Sequence, residues 1–199
     1  MLRAAHATDT QVIWDLCHWG VPHGIDVFSL TFVERFAAFA EAAAKLIRAE
    51  LKVAAVQGSA WFCAINEISF WAWVGGDVQH FLPCGEQRGR QLKRPLVRVS
   101  LAAMHAVRKA DPSARFVQPE PIIQISADPA KPEDAKAAAQ HTAWQVEAWD
   151  MLAGRLDADL GGGEAMLDVL GIRYYGNNPR RPADAARTSA ATTLTEYAN

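Results

Sequence analysis

Asn66-Glu67 follows a short apolar run, Trp61-Phe-Cys-Ala-Ile65, and opens the aromatic stretch Ile68-Ser-Phe-Trp-Ala-Trp-Val-Gly-Gly76. A carboxyl group walled by Phe70, Trp71 and Trp73 is expected to keep its proton toward neutrality, because apolar surroundings disfavour the charged form. A proton held there is what a general acid requires. Indole faces also suit sugars, whose C–H surfaces stack on aromatic rings while their hydroxyls seek polar partners. The same residue types fit a second arrangement, with Glu67 closing a loop above core tryptophans. Residue types alone leave both open.

Other chemistry-bearing residues are few. Glu120 stands between Pro119 and Pro121, and is read either as a substrate contact or as an ordinary loop residue. Cys17, Cys63 and Cys84 are odd in number and far apart, which argues against a disulfide framework. Buried, inert thiols are expected at Cys17 and Cys63. Cys17-His18 with His23 is the nearest approach to a metal-ligand cluster, and it lacks the spacing of a metal site. Neither a metal nor a cofactor is expected.

The elements that must position these residues alternate. A buried strand is predicted over Gln11–His18, bounded by Gly20 and Pro22. Thr31-Phe-Val-Glu34 has the form of a capping box. A helical stripe of Phe32, Phe36, Phe39, Ala43, Leu46 and Ile47 follows it. After the second strand, Trp61–Ile65, residues 68–90 read as a long aromatic and glycine-rich loop. A helix follows over Gln91–Ala110, with Leu92, Leu96, Val99, Ala103 and Val107 on one face and Pro95 in its first turn or kinking it. Arg115–Gln118 is the third strand. A third helix opens at Pro132 and carries Ala138, Thr142, Val146, Trp149, Ala153 and Leu156. Met166–Tyr175 is the fourth strand.

This alternation predicts an α/β fold of about four parallel strands joined by crossover helices. One domain is expected over residues 1–178, with 179–199 a poorly ordered tail low in apolar periodicity. Chemistry in such folds gathers at the carboxyl ends of the strands. That selects His18 and Trp19, Asn66 and Glu67, Glu120, and Tyr174 to Asn178.

The composition sets outer bounds. The chain has 199 residues, half of them apolar, and a net charge of −2, values typical of a soluble globular domain. That balance supplies no electrostatic reason to expect nucleic acid or an anionic membrane as partner. No apolar run approaches the ~20 residues needed to span a bilayer. Met1–Thr10 lacks the apolar core of a signal peptide, so a cytoplasmic location is expected.

Three of these segments resemble, in order, motifs of the clan of (β/α)8 retaining glycoside hydrolases that includes family 1 β-glucosidases. Ile65-Asn-Glu-Ile-Ser-Phe-Trp-Ala-Trp-Val-Gly-Gly76 is similar to the fourth-strand motif, whose Asn-Glu pair supplies the acid/base glutamate. Trp14-Asp-Leu-Cys-His-Trp-Gly-Val-Pro22 is similar to the third-strand motif, where a histidine followed by tryptophan touches the sugar. Leu167-Asp-Val-Leu-Gly-Ile-Arg-Tyr-Tyr175 is similar to the sixth-strand motif with its paired tyrosines. The resemblance spans residues 11–178 and implies a partial TIM barrel, strands three to six of eight.

Carried across, the resemblance makes Glu67 the general acid/base of a β-glucosidase-type hydrolase. Asn66 would bind the sugar 2-hydroxyl and His18 another hydroxyl with Trp19 beside it; Trp71, from the aromatic stretch, and Glu120, an extra carboxylate beyond the clan's pattern, are added as expected substrate contacts. Tyr175 would orient the nucleophile carboxylate. Ile68 stands where the clan usually has proline, and Arg173 where it has asparagine. Retaining chemistry needs a second carboxyl about 5–5.5 Å from the first. The clan places it after strand seven, for which no counterpart is visible; Glu196 follows no apolar strand. A carbohydrate is therefore the expected partner. Either a homo-oligomer completes the open barrel, or the chain is an inactive carbohydrate-binding remnant.

Overall fold

The computed structural model describes residues 2–53 and 58–174. Four strands form one parallel sheet in chain order: β1 (Ile13–Asp15), β2 (Trp61–Cys63), β3 (Arg115–Pro121) and β4 (Val169–Arg173). A short helix, α1 (Leu2–Ala7), precedes them. α2 (Leu30–Val53) crosses from β1 to β2, and α3 (Ile68–Gly76) with α4 (Gly89–Ala110) from β2 to β3. α5 (Ala135–Trp144) and α6 (Glu147–Leu152) lie between β3 and β4. The expected partial (β/α)8 architecture is the one observed.

The core lies between the sheet and the helices. Phe62 and Phe116 are neighbours across β2 and β3, with ring centroids 6.1 Å apart, and both are fully buried. Phe32, Phe36, Ala40, Ala44 and Ile47 of α2 are also buried, as are the five predicted apolar positions of α4. The steps of four along α2, with alanine at two of them, form a ridge that admits a close helix neighbour. Phe39 and Leu46, expected on that face, are instead exposed, and Ala43 is not among the buried positions.

Several local expectations are corrected. Ser29 caps α2, its Oγ accepting the Phe32 N–H at 3.2 Å, so the helix begins ahead of the Thr31–Glu34 box. Residues 68–76 form a helix that is apolar on nearly every side, and only the segment after it is loop. Such a helix is stable when enclosed, and every one of its residues except Trp73 is buried. The return loop presses on its end: a Cβ on Gly76 would lie 2.7 Å from Gly89 Cα. Asp77 Oδ1 then accepts the Gly89 N–H at 2.6 Å and starts α4, which runs through Pro95.

The predicted third helix is divided in two because groups outside it claim its polar atoms. Lys93 Nζ donates to Trp144 O at 2.6 Å, and the Gln145 side chain exchanges two 2.8 Å hydrogen bonds with the Ile123 backbone. In β4, Gly171 pairs with Pro119, and a Cβ there would lie 3.0 Å from Pro119 Cα. β1 and β4 are the sheet edges, with Ile13, Leu170 and Ile172 exposed.

Candidate functional site

The β1–β2 ladder continues past its strands. Leu16 N donates to Cys63 O at 2.9 Å and Asn66 N to Cys17 O at 3.0 Å. This continuation brings His18-Trp19 beside Asn66-Glu67 at the carboxyl edge of the sheet. The Trp19 indole N–H then donates to Asn66 O at 2.9 Å. Trp19 and Glu67 both have left-handed backbones, with φ of 61° and 44°. Each such conformation costs about 1–3 kcal/mol in a residue other than glycine, and this strain clusters at functional positions.

An aromatic wall stands over this corner, and it holds two of the three expected rings, Phe70 and Trp73. Trp19 packs against His18, Phe70 and Phe81 with ring centroids 4.4, 4.6 and 5.7 Å apart. Phe70 in turn lies 5.9 Å from Trp73. Trp71 is absent from the wall. Successive helical residues point about 100° apart, so Trp71 turns into the core, where it is fully buried and donates to Leu82 O at 2.9 Å. Phe81 lies five residues beyond the motif, inside the aromatic segment 68–90, but nothing in the sequence singled it out. His18 is half-exposed and shares a 2.7 Å contact with Asp15, Nδ1 to Oδ2. A groove of about 470 Å³ between α2 and the end of β1 takes in His18, Arg35 and Phe39 but not Glu67.

Glu67 is almost wholly enclosed, and Arg173 at the end of β4 approaches it, Nε to Oε1, at 3.4 Å. Sequence reading marked Arg173 only as a departure from the clan and missed this pairing. Asn66 is buried, and its Nδ2 has no partner among the described residues.

Glu120 also differs from the expected substrate contact. Its side chain is fully buried, accepting the Ser69 N–H at 3.0 Å through Oε2 and the Gln118 amide at 3.3 Å through Oε1. It thus satisfies an otherwise free donor in the first turn of α3. Burial pushes its carboxyl up to about 8 and the nearby Glu67 adds to this, while the Ser69 N–H and Lys93 oppose it. Lys93, buried beneath α6, is pushed down to about 8 by burial against the pull of Glu147. It lies among the apolar positions of α4 and had no sequence signal.

Burial also raises the Cys17 and Cys63 thiols, as inert core cysteines require. Among the described residues no cluster of His, Cys, Asp or Glu could hold a metal ion, and no helix is long and apolar enough to cross a membrane. Tyr175 and the segment to Asn178 lie outside the described residues.

No protein-family model matches the chain, and no curated protein matches it. Solved structures do match. The virulence factor SghA, in complex with its substrate analogue salicin, is 15% identical with a TM-score of 0.67, over 90% of this chain and 43% of its own. An AHE enzyme from Alicyclobacillus herbarius is 18% identical with a TM-score of 0.65, over 87% and 44%. A β-glycosidase from Pyrococcus horikoshii is 16% identical with a TM-score of 0.62, over 83% and 39%. The fold is therefore that of part of a (β/α)8 barrel, and the chain spans about two fifths of the length of these structures.

Proposed function

We propose that this chain carries the acid/base portion of a retaining β-glycosidase site, with Glu67 protonating the glycosidic oxygen and later deprotonating water. The observation that carries this reading is the strained Glu67 at the carboxyl edge of a parallel sheet, next to Trp19 anchored on the Asn66 carbonyl. An enclosed carboxyl exchanges its proton with a bound oxygen in place of bulk water. Asn66, whose buried Nδ2 has no partner among the described residues, would take the sugar 2-hydroxyl. His18 and Trp19 would meet the sugar ring, and Tyr175 would orient the second carboxylate. The substrate would be a β-glucoside met in the cytoplasm.

Both Glu120 oxygens are committed, to the Ser69 N–H and the Gln118 amide, so this reading takes the second carboxylate from elsewhere. A second copy of the chain, pairing across the β1 and β4 edges, would bring one from another polypeptide. Nitrophenol release from a nitrophenyl β-glucoside should fall by about 10²–10⁴-fold in Glu67→Gln, and unchanged turnover refutes the assignment. Sedimentation analysis tests the assembly. The enclosure of Glu120 also favours a second reading, a carbohydrate-binding module without hydrolysis. Calorimetry would then record sugar binding while no nitrophenol appears.

A further inference from the structure

Two groups from neighbouring strands act on Glu67 directly, and others reach those two. Arg173 reaches it from β4 as an ion pair at 3.4 Å. Glu120 on β3 feels its charge and that of Lys93 on α4. Cys63 on β2 feels both Glu120 and Arg173. Two carboxyl groups thus share an enclosed region, and neither finds the bulk water that would stabilise its ionised form.

The two members of the ion pair differ in exposure. The Glu67 side chain is 2% exposed and that of Arg173 is 42% exposed. The glutamate is fixed at the head of α3, whereas the arginine extends from an edge strand with room on its solvent side. A guanidinium stays charged at every accessible pH, so its approach favours the carboxylate over the carboxylic acid. We propose that Arg173 is a positioning residue that holds Glu67 as a carboxylate. The resting site then offers a base, and Glu67 becomes an acid only when Arg173 swings outward, which admits solvent and lets the carboxylate bind a hydronium proton, the water of that hydronium returning to solvent.

Only the catalytic consequence rests on the glycosidase reading; the charge lock stands on the ion pair. The test is a ¹³C NMR titration of glutamate-labelled protein, with the Glu67 carboxyl assigned by Glu67→Gln. Arg173→Asn should raise the Glu67 midpoint by about one to three pH units, and Arg173→Lys, which keeps a charge, should raise it less. Arg173→Met keeps the aliphatic stem and supplies the same comparison where the asparagine variant does not fold. A midpoint unmoved in the folded neutral variant overturns the proposal. A raised midpoint in a protein that hydrolyses no β-glucoside retains the lock and discards the glycosidase reading. Hydrolysis with an unmoved midpoint does the reverse.

Discussion

Glu120→Gln isolates the cost of a buried carboxyl in this fold. The folded protein holds the Glu120 proton up to about pH 8, whereas the ordinary value is 4.5. Between those limits the folded state binds a proton that the unfolded chain has released, so stability falls as pH rises through that range. At 1.36 kcal/mol per pH unit, the loss has a ceiling of about 5 kcal/mol, comparable to the whole stability of many domains. Lys93 acts in the next window. Pushed down from 10.5 to about 8, it is neutral in the folded protein where the unfolded chain still carries the charge, and stability recovers as pH rises. A minimum near pH 8 follows. Glutamine keeps an oxygen for the Ser69 N–H and cannot ionise. Urea unfolding from pH 5 to 9, followed by tryptophan fluorescence, should show parent and variant converging in acid and the variant the more stable at pH 8. Parallel pH dependences in the two proteins would falsify the buried-carboxyl account.

Two further substitutions probe what holds the site in place. Trp71→Ala should cost about 3–5 kcal/mol by emptying the core beneath Glu67, read as a lower urea midpoint, while Trp73→Ala, at a less enclosed position, should cost clearly less. Gln145→Ala strips the Ile123 backbone of both its partners and should cost about 1–3 kcal/mol, with faster amide exchange at Ile123 as the local readout.

The strands were legible in position from short apolar runs such as Trp61 to Ile65, but not in extent or burial: β1 is a three-residue edge with Ile13 exposed, and β3 runs on through Pro119 to Pro121. The helix over 68–76 was not. A segment apolar on every side has no period to detect, and Gly75 and Gly76 resemble loop residues until the close return of the chain explains them. The split at Gln145 was hidden for another reason, since it depends on Lys93 and Ile123, which are distant in sequence. Within the site, strand ends located Glu67, Asn66, His18 and Trp19, whereas the inward turn of Trp71, the enclosure of Glu120 and the reach of Arg173 are matters of side-chain direction. Such directions are set only when the elements pack.

The sheet whose spatial order repeats its chain order also divides labour by stability. Each strand leans on its predecessor and successor, so protection should be greatest at β2 and β3 and fade toward β1 and β4. Glu67 descends from the protected centre. His18 and Arg173 descend from the two fringes, where local opening is cheapest. The enclosed carboxyl is thus built into the stiffest part of the molecule and its arginine partner into one of the softest, an allocation that lets the edges breathe without unseating the carboxyl.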